Sequence, residues 1–227
     1  MNEILSPNFN DRAANIELTS IVVHYTGMKD APSAVARLCD PASKVGAHYV
    51  IDESGNTLPL IDESKRAWHA GESFWRGMRD MNSASIGIEL VNPGHEFGYH
   101  PFPEAQIAAF TKLARDIIAC RALSARTALL AHSDIAPTRK QDPGELFPWQ
   151  LLAQEGLGLW PAPLPEDFIA VRDGEIVEKL GAIGYDTASV SDTLLAFQRR
   201  YYPENMTGFA DPETVARIRA LKRQWNA

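Results

Sequence analysis

The chain has 227 residues, of which 45% are hydrophobic, with a net charge of −7 and only two cysteines. That length accommodates one domain of ordinary size plus a small one, and the apolar content supports a packed core rather than wholesale disorder. The acidic balance and the lack of a basic stripe exclude nonspecific nucleic-acid binding, while Cys39 and Cys120, without C-x-x-C spacing, read as buried or free thiols instead of a disulfide framework.

Residues 1–18 mix charged and polar side chains with no apolar leader-like stretch, and nothing later approaches the length of a membrane span. The expectation is a soluble cytoplasmic protein, or a periplasmic one if a leader has been removed. The β-branched run from Ser20 to Tyr25 predicts a strand, followed by a short helix over 33–39 and a hairpin turning at Glu53-Ser54-Gly55-Asn56. A further strand is expected over 85–91, then a Gly/Pro-rich loop over 92–103 whose His95 and His100 read as exposed residues near a cleft. Ile107, Phe110, Leu113, Ile117 and Ile118 recur at helical spacing, so residues 104–120 should lay one apolar stripe on a sheet, with Pro103 where the helix begins.

A last strand over 127–131 runs into His132. Pro161, Pro163 and Pro165 then stiffen a linker over 156–168. Three short helices follow, over 176–180, 191–201 and 211–223. The last opens on Asp211-Pro212-Glu213, which supplies an N-cap, a proline at the first helical position and an acidic first turn. The expected fold is α/β, a central mixed β-sheet flanked by helices, plus a small all-α C-terminal domain, with units at 1–158 and 165–227.

The chemistry concentrates in residues 131–144, where a proline-stiffened loop carries His132, Lys140 and Asp142. A hydrolytic zinc site takes three nitrogen or oxygen ligands and keeps a fourth position for water, so one more histidine is needed. Strand alternation puts His24 on the face opposite Ile21 and Val23, which makes it the candidate. Glu89 is a carboxylate inside the apolar strand Ile86-Gly87-Ile88-Glu89-Leu90, opposite Ile86, Ile88 and Leu90. It is either a general base or one half of a salt bridge. Lys140 either stabilises an oxyanion or neutralises Asp142 locally. His48, among Tyr49, Val50 and Ile51, reads as a packed, hydrogen-bonded residue and not a ligand.

The segments IVVHYT, GAHYVIDESGNT, AWHAG with SFWRG, SIGIELVN and HSDIAPTRKQDPG stand in an order that resembles the zinc-dependent N-acetylmuramoyl-L-alanine amidases of the type 2 amidase family, over roughly residues 15–155. The resemblance implies one zinc per chain on His24, His132 and Asp142, with Glu89 as base and acid and Lys140 as electrostatic stabiliser. It also implies hydrolysis of the amide between N-acetylmuramic acid, or its 1,6-anhydro form, and L-alanine of the stem peptide, in peptidoglycan recycling or remodelling. The partners would be peptidoglycan or muropeptide fragments, with Trp68, His69 and Arg139 binding substrate; core packing is the other reading of Trp68. Phage and animal members carry an assisting tyrosine where this chain has Ala47, which leaves that work to Glu89 as in the bacterial anhydro-muramyl subgroup. A noncatalytic peptidoglycan-recognition protein is the alternative. The phrases LGAIGYD, LLAFQRRYYP and GFADPETVARI are similar to a three-helix peptidoglycan-binding module; the other reading is a helical tail in which Phe197, Tyr201 and Tyr202 are simply core.

Overall fold

A computed structural model describes residues 5–225, so residues 1–4 and 226–227 of the two expected units lie outside the described residues. In chain order it contains β1 (Phe9–Asp11), β2 (Ser20–Tyr25), α1 (Ala31–Cys39), β3 (Tyr49–Ile51), β4 (Thr57–Pro59), β5 (Lys65–Ala67), α2 (Met81–Ala84) and β6 (Ser85–Leu90). Then come α3 (Gly94–Phe97), α4 (Glu104–Cys120), β7 (Leu129–Ala131), α5 (His132–Ile135), α6 (Trp149–Gln154), α7 (Glu175–Ile183), α8 (Val190–Tyr201) and α9 (Pro212–Trp225).

Five strands form a mixed sheet in the order β4-β3-β6-β2-β7, in which β3, β6, β2 and β7 run parallel and β4 is antiparallel at one edge. β1 and β5 pair as a separate antiparallel ribbon. Interior parallel strands are covered on both faces, which is why β2 and β6 read as near-continuous apolar runs. One face packs Ile21, Val23, Ile86, Ile88 and Leu90 against Ile107, Phe110, Ile117 and Ile118 of α4. The stripe expected on that helix is therefore its buried side. Its periodicity does not announce Gln106, which is also buried and donates from Nε2 to the carbonyls of Ile51 (2.9 Å) and Val91 (3.0 Å) at the strand ends.

The opposite face changes character along the strands. At its start, Val22 and Leu130 are apolar and join one core with Leu180, Ile183, Leu194, Phe197 and Ile218 of α7, α8 and α9. At its end the same face carries His24 and Glu89, paired in register across β2 and β6. The proline-rich connector is laid down on this body, with Leu157 and Leu159 buried. α9 is tied to it by Arg219, whose guanidinium forks onto Glu175 (2.7 and 2.9 Å) and donates to the carbonyls of Asp167 and Ile169.

Two local expectations change. The loop over 92–103 contains the single turn α3, and His95 on it is half-buried instead of exposed. Its ring stacks on Tyr99 (4.2 Å between centroids) and bridges the Tyr25 hydroxyl (3.0 Å) to Glu145 (3.0 Å). Among the described residues no helix is long and apolar enough to cross a membrane.

The shared core yields a stability prediction. Phe197 is fully buried, so Phe197→Ala should cost about 3–5 kcal/mol through lost transfer energy and the cavity left behind. Phe209, 75% exposed, should change stability by less than about 0.5 kcal/mol when cut to alanine. Urea unfolding midpoints of the two variants check the contrast.

Candidate active site

In an open sheet, the loops beyond the carboxyl ends of parallel strands leave a crevice in which side chains from several strands converge. Here β2 ends with His24 on the inward face, β6 with Glu89, and β7 passes directly into His132, the first residue of α5. The following loop folds back so that the Ser133 amide donates to the Asp142 carbonyl (3.0 Å), which fixes the spacing of the two ligand-bearing segments. The result is a cluster of His24 Nδ1, His132 Nδ1 and Asp142 Oδ2, each 2.9 Å from the other two, all buried at the floor of a cleft of about 610 Å³.

The hydrogen-bond partners settle the tautomers. His132 Nε2 donates to the Ala70 carbonyl (3.0 Å), leaving a bare lone pair on Nδ1. His24 Nε2 faces His69 Nδ1 at 3.0 Å, and His69 Nε2 in turn faces the Ser85 hydroxyl, which donates to the Met81 carbonyl. With its Nε2–H donating to His69 Nδ1, His24 likewise presents a bare Nδ1. Burial, and then repulsion from His132, lower the His24 pKa to about 4, so the ring is neutral at neutral pH as ligation requires.

Two bare nitrogens and a carboxylate oxygen thus converge with no proton to share among them. A cation resolves that arrangement, and the separations approach the roughly 3.3 Å edge of a tetrahedron with bonds of ~2.0–2.1 Å. The donor set fits a metal ion with one side open to the cleft.

Glu89 stands beside this triangle. Its Oε2 is buried with no hydrogen-bond partner among the described residues, and burial followed by the Asp142 charge pushes its pKa well above the usual carboxylate range, against the pull of Lys140. Among the described residues no ion pair gives it a Lys or Arg partner. Lys140, partly exposed, lines the same cleft. Trp68 also lines it, half-buried, with its indole N–H on Asn10 (2.7 Å). Arg139 is on the rim, where Nη2 donates to the carbonyls of Ala70 and Glu72.

His69 sits against the back of His24, in contact with Gly87. A Cβ at that glycine would lie 2.4 Å from His69 Cγ, so Gly87 leaves the room the ring occupies. That glycine between two isoleucines of the strand is the sequence signal for a close approach. Asn82, which sequence reasoning missed, holds the same loop by accepting from the amides of His69 (3.0 Å) and Ala70 (2.7 Å). Asp134, Tyr185 and Arg200 were also missed and lie directly behind the His132 segment.

His48 is buried, accepting from the Gly87 amide (2.9 Å) and placing Nε2 on the Lys65 carbonyl (3.0 Å). Burial lowers its pKa from 6.5 to about 4. The unfolded chain therefore binds more protons between those values, and stability should fall by up to about 3 kcal/mol as pH drops from 6.5 to 4. Melting temperatures across that window should decline less steeply in His48→Gln than in the parent; equal slopes would remove His48 as a source of acid lability.

Three nitrogen and oxygen ligands with an open side, next to a carboxylate able to carry a proton, have the make-up of a metal-dependent hydrolase. Comparison with known proteins agrees. A profile of the N-acetylmuramoyl-L-alanine amidase family matches residues 12–145, and the chain belongs to that family. It is 37% identical to the N-acetylmuramoyl-L-alanine amidase AmiD of Escherichia coli strain K12, over 94% of this chain and 86% of that protein. It is 40% identical to the 1,6-anhydro-N-acetylmuramyl-L-alanine amidase AmpD of the same organism, over 63% of this chain and 85% of that one. The solved complex of E. coli AmiD with anhydro-N-acetylmuramic acid-L-Ala-D-γ-Glu-L-Lys superimposes with a TM-score of 0.81, covering 94% of this chain and 92% of that chain at 36% identity. AmpDh3 of Pseudomonas aeruginosa superimposes with a TM-score of 0.83 at 29% identity, covering 95% and 96%.

Proposed function

We propose that this amidase cleaves the bond between the lactyl group of N-acetylmuramic acid, in the 1,6-anhydro form, and L-alanine of the stem peptide, using one zinc ion on His24, His132 and Asp142. The observation that carries this reading is the convergence of three bare ligand atoms beside the unpartnered Glu89 oxygen. When bound, such an ion supplies the Lewis acidity that polarises the scissile carbonyl and makes water a ready nucleophile at neutral pH. Glu89 takes the proton of the attacking water and returns it to the departing nitrogen of L-alanine, a role for which its raised pKa suits it. Lys140 brings a positive charge to the side of the cleft where the oxyanion develops.

His69 acts through His24 by accepting a hydrogen bond from its Nε2–H and holding the ring in the ligating tautomer. Trp68 offers an aromatic face to sugar or peptide, and Arg139 keeps Nε and Nη1 for a stem carboxylate while Nη2 braces the loop. Residues 165–227 serve first as a buttress. Phe197 and Tyr201, aromatics that a wall-binding face would expose, are buried in the core shared with the sheet. The anhydro form is the one bound in the solved complex of E. coli AmiD, which supports a substrate of that form and a part in recycling, with the cytoplasm as the proposed compartment.

Mass spectrometry of products from anhydro-muropeptides, reduced muropeptides and sacculi tests the reading. Release of an intact stem peptide with a free L-alanine N-terminus, fastest from the anhydro substrate, is the expected result. Binding without release would make the protein a recognition module.

A further inference from the structure

The C-terminal helices reach the metal-binding segment through one buried polar cluster. Asp134, fully buried, lies two residues after His132 in the same turn of helix, α5. Its Oδ2 accepts the Ala131 amide (2.8 Å) and pairs with Arg200 of α8, while its Oδ1 accepts the hydroxyl of Tyr185 (2.7 Å). The other terminal nitrogen of Arg200 donates to the carbonyl of Leu129 (3.0 Å) in β7. One guanidinium therefore grips the chain on both sides of His132, at residue 129 before it and at residue 134 after it. The Arg200 guanidinium carbon itself lies over the rings of Trp149 (4.1 Å) and Tyr201 (4.9 Å).

A buried ion pair of this kind gives up hydration on both partners and is weak evidence for stability, so it calls for a role in specifying geometry. Apart from the Ala70 carbonyl on its ring and the Ser133–Asp142 hydrogen bond beside it, the backbone on either side of His132 is held by this cluster. β7 is only three residues long and pairs with β2 as far as Ala131, so the strand ladder stops one residue short of the ligand. We propose that Arg200 and Tyr185 are positioning residues for the metal ligand His132, acting through Asp134, so that the C-terminal helices complete the metal site in addition to covering the sheet. The inference rests on the reading of His24, His132 and Asp142 as a zinc centre.

The test measures zinc affinity of the full chain by competition with a chromophoric chelator, alongside the melting temperature of the metal-free protein. Tyr185→Phe removes one hydrogen bond to Asp134 and keeps the ring. The double variant Asp134→Asn with Arg200→Gln removes both charges, so neither is left buried alone. Arg219→Gln is the control, because it loosens α9 from α7 and the connector without touching the His132 segment. The expected result is zinc affinity about tenfold weaker or more in the first two variants, the size typical of lost outer-shell support, and unchanged in the control even where its melting temperature falls. Affinity within twofold of the parent in Tyr185→Phe and the double variant overturns the proposal. So does an equal loss in Arg219→Gln, which would mean general loosening. If the double variant fails to fold, Tyr185→Phe decides. Absence of zinc binding by the parent chain is a different failure, that of the metal reading itself, and the proposal falls with it.

Discussion

Glu89→Gln is expected to leave the fold and zinc content intact while lowering kcat/KM on an anhydro-muropeptide by about 10²–10⁴-fold, the range lost with a positioned general acid-base group. Glutamine reproduces the shape of the side chain but cannot take up a proton from water. The same substitution should raise the melting temperature of the metal-free protein near neutral pH. The Glu89 pKa lies well above its unfolded value, so the folded state loses stability as pH rises above that unfolded value, where the carboxyl ionises freely only in the unfolded chain. Glutamine does not titrate and removes that loss. More stable yet inactive protein is thus the signature of a group kept for chemistry at the expense of stability. Parent-level turnover in the variant, with zinc bound, would sink the assignment.

His132→Ala should abolish measurable turnover and reduce zinc from one per chain to a small fraction, as read by elemental analysis of protein purified without chelator. Two ligands remain, but the closed triangle does not, and hydrolytic zinc sites rest on three protein donors. In the parent protein, chelation should remove activity and lower the melting temperature, and added zinc should restore both. Ligand saturation a thousandfold above Kd contributes about 4 kcal/mol to the native state. The metal also relieves the crowding of two bare nitrogens against a carboxylate. Zinc retained in His132→Ala, or parent activity indifferent to chelation, would contradict the metal reading.

Much of this was legible along the chain. Alternation set His24 opposite Ile21 and Val23 in β2 and Glu89 opposite Ile86, Ile88 and Leu90 in β6, and the structure pairs the two in register on one face. The helical stripe of α4 was readable from Ile107 to Ile118, because a helix against a sheet buries every third or fourth residue whatever lies beyond it. The motif order led to the family, and the 131–144 loop supplied two of the three clustered ligand-type residues. His95 was misjudged because glycine and proline mark a loop without revealing which partners fold back over it.

What the sequence by itself determined were the elements, the face each chemical residue occupies and the residue types gathered at the strand ends. These follow from local backbone periodicity, which is written in neighbouring residues. Only the tertiary structure decided that His69 stands behind His24, that Phe197 lies in the core under the sheet, and that Arg200 and Tyr185 close on Asp134. Those pairs are 45 to 66 residues apart in the chain where they bond, and no spacing rule links them. Their meeting is set by how apolar faces stack and by the demand that each buried polar group find a partner, a condition satisfied by the assembled fold as a whole.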